Sequence, residues 1–426
     1  MHRLPPDDRR PVSRAALAHR LQAVRAHSLA LAAPLSAEDQ GAQSMPDASP
    51  TKWHLAHTSW FFEAVVLQPW SPGYQPVDPR YARLFNSYYE SLGARHPRPQ
   101  RGLLTRPALA EVLAYRARID EALQALMADA DDDTWGQVAP LLELGLQHEQ
   151  QHQELILTDV LHLLSMNPLA PAYAPPAGKP IAAQGHGDHG DWWSCAGGEA
   201  EIGHDPREGF GFDNEGPRHM VRLAPFALSR RLVTNAEVQA FIADGGYHRP
   251  ELWLSDGWAT VLAQGWRAPL YWHDDARHAF TLHGDQPIDP QAPACHLSFY
   301  EAAAVAAWAG ARLPTEFEWE AAARAWGVAA PASTGLCAAP RRSDADLQCF
   351  GAVWQWTRSA YDPYPRFKPF DGTAAEYNGK FMVGQLVLRG SSCATPPGHA
   401  RTSYRNFFPP AARWQFSGVR LAKDLD

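Results

Sequence analysis

The stretch Leu142-Glu-Leu-Gly-Leu-Gln-His148-Glu-Gln-Gln-His152-Gln-Glu154-Leu-Ile-Leu-Thr-Asp-Val160 decides how the chain is read. Leu142, Leu144, Leu146, Leu155, Ile156, Leu157 and Val160 surround a polar centre, which points to a largely buried helix. Its wider frame runs from Asp133 to Met166 and stops before Asn167-Pro168. At about 100° per residue, His148 and His152 are about 40° apart and one turn separated, so both imidazoles can grip one ion. Gln151 falls on the same side, about 60° from His148, whereas Glu154 is about 160° from His152 and a poor member of that shell. A solvated His/Gln/Glu face would carry the same letters. The apolar flanks argue against it, because two buried histidines one turn apart need partners.

Three more helical runs precede this one. Ser13 to Ala32 is rich in Ala, Leu and Arg, with Ser13 placed as N-cap. Lys52 to Leu67 is crowded with aromatics, and Arg106 to Asp129 keeps Leu109, Val112, Leu113, Ala117, Ile119, Leu123 and Leu126 broadly on one side. Four such helices make a bundle, an architecture in which metal ligands come from facing helices. A third ligand would have to come from Trp53-His54-Leu-Ala-His57-Thr-Ser-Trp60; either histidine there could equally be a core residue bonded to a carbonyl. Three imidazoles and no carboxylate suit Fe, Zn, Cu or Ni, so ligand type alone does not name the metal. The loop from Trp70 to Arg106 is too long to be idle in a compact domain. It carries Asn86-Ser-Tyr88-Tyr89 and Arg95-His-Pro-Arg98-Pro-Gln-Arg101. A tyrosine hydroxyl beside a metal can donate a proton, and arginines there can hold a carboxylate through paired hydrogen bonds.

Leu169 to Gly190, with four prolines and four glycines, reads as an interdomain linker. From Trp192 onward Gly, Trp, Pro and short strand-like runs dominate, with helices expected over Ser298–Gly310 and after Pro314-Thr315. Glu316, Glu318 and Glu320 would sit near the positive N-terminal end of the latter. The formal charge of −8 argues against a nucleic-acid partner. The longest apolar run, Ala302 to Ala309, falls far short of the roughly 20 residues that span a bilayer. Met1 to Arg10 has no apolar signal-peptide core. The cysteines (Cys195, Cys295, Cys337, Cys349, Cys393) are few and lack CxxC spacing, so a reducing cytoplasm is expected and a disulfide scaffold is not.

Further motifs recur as a set: Gly203 to Val221, Leu232-Val-Thr-Asn235, Arg312-Leu-Pro-Thr-Glu-Phe-Glu-Trp319, Gly351-Ala-Val-Trp-Gln-Trp356, Arg389-Gly-Ser-Ser-Cys393, and Arg405 to Arg420. This set resembles the formylglycine-generating-enzyme (sulfatase-modifying-factor) fold, a relative of C-type lectins. The first half resembles a DinB-like four-helix bundle. The pairing, with Gln43-Ser-Met-Pro-Asp-Ala-Ser-Pro-Thr-Lys-Trp-His-Leu-Ala-His57 and His148-x-x-x-His152, resembles the EgtB family of ergothioneine biosynthesis. The fold class implied is α+β, with domain one over 1–168, a linker over 169–190 and domain two over 191–426.

The resemblance implies an iron-dependent sulfoxide synthase. Fe(II) would be held by His57, His148 and His152; His57 is preferred over His54 because the family ligand closes the Trp-x-Leu-Ala-His pattern. O2 would be co-substrate, hercynine the acceptor, and a thiol the donor. Gln151 matches a residue that bonds the hercynine imidazole. Asn406, Phe407, Phe408 and Trp414 are candidates for a cradle around its trimethylammonium group, where cation–π attraction acts. Tyr88 or Tyr89 would be the proton donor, and Arg98 and Arg101 would hold the donor carboxylate. The text Arg405-Asn-Phe-Phe408 lacks the acid that helps hold γ-glutamylcysteine in mycobacterial-type members, and the Tyr88-Tyr89 pair matches the branch using free cysteine. Formylglycine-generating activity needs a cysteine pair, and only Cys393 stands in the relevant stretch. Ala352 and Ser391 depart from the ordinary sulfur enzyme, which keeps open its homologue selenoneine synthase (SenA), acting on a selenosugar. A DinB-type zinc-dependent thiol transferase and a lectin-like binder are the readings from other classes.

Overall fold

A computed structural model describes residues 13–175, 192–328 and 347–426. The expected linker beyond residue 175, the N-terminal ten residues and Cys337 lie outside the described residues. The chain divides into two compact units. The first comprises Met1–Met166 with Pro206–Phe210 and Lys368–Lys380; the second comprises Asn167–Asp205, Gly211–Phe367 and Phe381–Asp426. Sequence reading drew its first boundary at 168, and the structure divides after Met166. It also sends Lys368–Lys380, from deep in the second half, to the first unit.

The first unit is built on α1 (Arg14–Ala32), α2 (Thr51–Phe62), α3 (Leu109–Asp129) and α4 (Asp132–Ser165). Ser13 caps α1 by accepting the Ala16 N–H at 3.2 Å, and Asp131 caps α4 by accepting the Thr134 N–H at 2.8 Å. The start of α3 falls later than Arg106 because the Glu111 carboxylate turns back onto the Ala108 N–H at 2.7 Å and closes the first turn there. The run expected as one helix to Leu67 passes into a π-helical turn over Glu63–Leu67. Helix α1 packs along α4, and α2 lies against both α3 and α4. Every α2 residue except Lys52 is buried, which explains aromatics around its whole circumference. Gly145 lets α4 close on α2, since a Cβ there would stand 2.3 Å from the Phe62 ring.

One carboxylate braces the bundle. Glu149 on α4 accepts from Arg25 (3.0 Å) and Ser28 (2.6 Å) of α1 and is paired with Arg116 of α3. Arg25 also reaches Ser59 of α2 at 3.0 Å and Asp120 of α3 at 2.6 Å. Burial pushes the Glu149 carboxyl up, but Arg116 and Arg25 more than reverse this and hold it at about 2.

The second unit carries short strands: β1 (Trp192–Cys195), β2 (Gly198–Ile202), β3 (His219–Leu223), β4 (Phe226–Leu232), β5 (His278–Thr281), β6 (Gly284–Pro287), β7 (Trp354–Ala360), β8 (Leu386–Gly390), β9 (Asn406–Phe408), β10 (Ser417–Gly418) and β11 (Arg420–Asp424). They form sheets β1-β4-β11 and β10-β7-β8-β9 with hairpins β2-β3 and β5-β6. Gln355 of β7 stands opposite Arg389 of β8, and Val387 of β8 opposite Phe407 of β9. Beside them, among the described residues, stand the helices α5 (Asn235–Ala243), α6 (Ser255–Gln264), α7 (Phe299–Trp308) and α8 (Glu316–Ala325). Ser298 with Glu301 and Thr315 with Glu318 form capping boxes at α7 and α8. Glu316 and Glu320 do more than answer the helix dipole. Both are buried, Glu316 bonding Arg405 at 2.8 and 2.9 Å and Glu320 bonding Arg324 at 2.9 Å and pairing with Arg389. This helical bundle followed by a strand-rich unit is the expected α+β class. Among the described residues no helix is long and apolar enough to cross a membrane.

Candidate metal centre

Helices α2 and α4 bring His57, His148 and His152 together. One ring nitrogen from each lies within 4.8 Å of the others, and all three residues are buried. His57 Nε2 and His148 Nε2 are 3.1 Å apart. Two imidazole nitrogens about 2.1 Å from one ion, at a right angle, stand roughly 3 Å apart, so this pair fits two adjacent positions of a coordination shell. Burial drives His57 and His152 well below the usual imidazole range, with neighbouring histidines adding to the effect. His148 is pushed down to about 3 by burial, against the pull of Glu149. All three are therefore neutral at physiological pH, the state in which imidazole ligates. His148 Nδ1 is buried without a hydrogen-bond partner among the described residues. The donor set thus fits a borderline divalent ion.

The ring orientations are fixed from behind. His57 Nδ1 donates to the Phe85 carbonyl at 2.6 Å, which leaves its Nε2 lone pair free. Trp53 stacks on the His57 ring at 4.6 Å and 11°. His54 lies behind His152 rather than in the cluster itself: its Nδ1 meets His152 Nδ1 at 2.8 Å, and its Nε2 meets Asp159 Oδ2 at 3.0 Å.

The other candidates sort differently. Gln151 is half-buried, and its Oε1 accepts from the Tyr377 hydroxyl. Tyr377 is buried with its ring 5.7 Å from that of His148. Tyr89 is buried and packs on Trp60 and Phe61, and its hydroxyl lies 3.4 Å from that of half-buried Tyr88. Tyr88 in turn meets Tyr377 edge-on at 6.3 Å. Burial first, then Tyr88 and Tyr377, raise the Tyr89 phenol well above its ordinary value. Glu376 clasps this arrangement by accepting the Glu90 and Ser91 N–H groups, each at 2.9 Å. Nothing in a lone sequence marks Tyr377, because the residues that bring it here are remote in the chain.

Of the loop arginines, Arg95 pairs with Glu90 at 2.6 Å, and exposed Arg98 bonds the Asp47 carbonyl. Arg101 is buried. Its Nη1 donates to Ser49 at 2.8 Å, its Cζ lies 3.4 Å over the Trp53 ring, and its Nε has no partner among the described residues. Burial, with Arg98 and Arg95 adding and Asp159 opposing, lowers it to about 9. No ion pair to it is found among the described residues.

In the second unit, Asn406, Phe407 and Phe408 form β9. Strand alternation sends Phe407 to the opposite face from Asn406 and Phe408. Phe407 stacks on Tyr361 at 4.0 Å, while Phe408 meets Trp414 edge-on at 6.3 Å. Ser391 is buried and accepts the Gly351 N–H at 2.8 Å, which gives its hydroxyl a partner inside the fold.

Comparison with known proteins gives two domain families. The family described as sulfatase-modifying factor enzyme 1-like domain matches residues 182–334 and 341–425, and the DinB superfamily matches residues 20–156. A protein named hercynine oxygenase from Mycolicibacterium smegmatis is 35% identical over 422 residues, covering 90% of this chain and 93% of that one. Another of the same name from Mycobacterium tuberculosis is 35% identical over 411 residues, covering 89% and 92%. The formylglycine-generating enzyme of Streptomyces coelicolor is 34% identical over 171 residues, covering 37% of this chain and 52% of its own.

Proposed function

The chain belongs to the hercynine oxygenase (EgtB) family, and on that premise we propose that it joins a chalcogen donor to the imidazole carbon of hercynine in an Fe(II)- and O2-dependent reaction. The observation that carries the reading is the convergence of three buried, neutral imidazoles with no carboxylate. His57, His148 and His152 would hold the iron, which when bound supplies the redox chemistry with oxygen. A shell of three protein ligands leaves positions for ligands that are not protein.

The remaining steps belong to side chains. Gln151, oriented by Tyr377, would hold the hercynine ring in plane through a hydrogen bond. Tyr377, Tyr88 and Tyr89 form a phenol cluster beside His148. A raised phenol keeps its proton at neutral pH and hands it over only to a strong base, so we assign proton donation to this cluster and add Tyr377 to the pair chosen from sequence. Asn406, Phe408 and Trp414 are the proposed contacts for the trimethylammonium group. Arg101 is a buried cation with no ion pair among the described residues, so a donor bearing a carboxylate would complete its bonds. Cysteine has that carboxylate, and this supports it as donor.

The test is a donor competition. Iron-replete protein, oxygen and hercynine are given cysteine, γ-glutamylcysteine or a 1-selenoglucose, and products are read by mass spectrometry. A cysteine–hercynine sulfoxide is expected, lost in His57→Ala, His148→Ala and His152→Ala. Product from the selenosugar alone would move the assignment to selenoneine synthesis. Full activity in any histidine variant would remove that residue from the site.

A further inference from the structure

Asp159 stands seven residues after His152 on α4, so the two share one helix face two turns apart. Between them lies His54 of α2, 2% exposed, touching both. The order of bonds has only one consistent proton assignment when the carboxylate is ionised and His54 neutral. Asp159 Oδ2 accepts, so His54 Nε2 carries the proton and His54 Nδ1 is bare. His152 Nδ1 must then donate, which leaves the His152 Nε2 lone pair free. The reverse tautomer would put a proton where a ligand is needed. Asp159 is itself fixed, because the same Oδ2 accepts the Ser49 N–H at 2.8 Å.

We propose that Asp159 and His54 form a carboxylate–histidine relay that sets the tautomer and raises the ligand strength of His152, as positioning residues for the metal rather than ligands themselves. The inference rests on the metal reading of the three-histidine cluster. It also separates the ligands by how each is backed: His57 by a backbone carbonyl, His152 by a chain ending in a charge, and His148 by no partner at Nδ1. His152 is then the ligand whose strength side chains outside the cluster control. Partners of this kind change metal affinity by about 10- to 100-fold when removed.

The test uses the full chain, prepared metal-free and titrated anaerobically with Co(II), with affinity read by chelator competition and geometry by the visible absorption of bound Co(II). His54→Phe keeps the volume and removes the relay, and it should weaken Co(II) about 10- to 100-fold and shift the absorption band. Asp159→Asn keeps the Ser49 and His54 contacts but loses the charge; it should weaken binding about tenfold. In the His54→Phe background Asp159→Asn should add nothing. If His54→Phe does not fold, His54→Gln, whose amide meets Asp159 but falls short of His152, carries the same expectation. Affinity within twofold of the parent in the His54 variant, or an undiminished Asp159→Asn loss in the double variant, overturns the relay. A parent protein that binds no Co(II) and no Fe(II) overturns the metal reading itself.

Discussion

The two units both bury clusters of polar side chains, and they finish them differently. In the second unit Arg389, Arg405, Glu316 and Glu320 are almost wholly buried, and each charge meets an opposite one. Backbone carbonyls of Asn214, Asp362, Thr402 and Ser403 take further guanidinium N–H groups, and only Arg389 Nε of these two arginines is left without a partner among the described residues. In the first unit His57 Nε2 and His148 Nε2 stand 3.1 Å apart with no charged partner of their own, and Arg101 lies nearby with no ion pair among the described residues. A satisfied cluster fixes one arrangement of the chain and offers little to a ligand. An unfinished one costs stability in the empty protein and recovers it on binding. Glu149 shows both devices on one helix: the Nδ1 of its neighbour His148 has no partner among the described residues, and Glu149 is itself closed by two arginines and a serine.

Breaking the closed clusters should have the largest effect on stability. Glu320→Ala leaves buried Arg389 with only the longer pair to Glu316 at 3.6 Å, and Glu149→Ala strips buried Arg116 of its carboxylate and leaves Arg25 with Asp120. Each should lower unfolding free energy by about 3–5 kcal/mol in denaturant titrations. His57→Phe, by contrast, should cost metal binding but much less fold stability, since no charge is left behind. Equal losses from all three would erase the distinction.

The clusters should also part in acid. A histidine whose folded pKa lies below its unfolded value binds protons more readily when unfolded, so it weakens the fold as pH falls below about 6.5. Each of His57, His148 and His152 contributes up to about 1.4 kcal/mol per pH unit there, His148 down to about 3. The Glu149 carboxyl is depressed instead. Its stabilisation is full above about 4.5 and is lost as pH falls towards about 2. Metal-free protein should therefore lose stability from pH 6.5 to 5, before the Glu149 brace titrates, and His148→Phe should flatten that part of the curve. A flat parent curve down to pH 5 would mean the imidazoles are not held neutral.

This contrast explains what could be read from sequence. The long helices, the Ser13 cap and the His148–His152 pair are legible from short-range spacing, one turn for the two histidines, whereas the choice of His57 over His54 comes from the family resemblance. Asp159 carried a weaker signal, the same face two turns on. Tyr377 carried none, because Lys368–Lys380 joins the first unit only through tertiary contacts such as Glu376 with Glu90 and Ser91. Arg98 and Arg101 looked equivalent in sequence, three residues apart. The 3-10 turn over Arg98–Leu103 leaves one exposed and buries the other over Trp53. That inequality sharpens the donor assignment: Arg101→Ala should raise the KM for a carboxylate-bearing donor about 10- to 100-fold, the worth of one charge-assisted hydrogen bond. Arg98→Ala should change it less than threefold. Similar effects would return both residues to the candidate list.

The smallest expected effect concerns the proposed cation cradle on β9. Hercynine and histidine differ in the three methyl groups on the amine, which spread the charge and allow close approach to an aromatic face. Cation–π attraction to a desolvated ring is worth about 1–2 kcal/mol, so hercynine should bind roughly 5- to 30-fold more tightly than histidine in calorimetry. Strand alternation in β9 then divides the aromatics. Phe407 already spends one face on Tyr361, 4.0 Å away and nearly parallel, whereas Phe408 meets Trp414 edge-on. Phe408→Leu should remove most of the preference for hercynine and leave histidine binding unchanged. Phe407→Leu should instead lower stability by about 1 kcal/mol through the lost stack and keep the preference. If Phe407→Leu abolishes the preference and Phe408→Leu does not, the cradle lies on the other face of the strand.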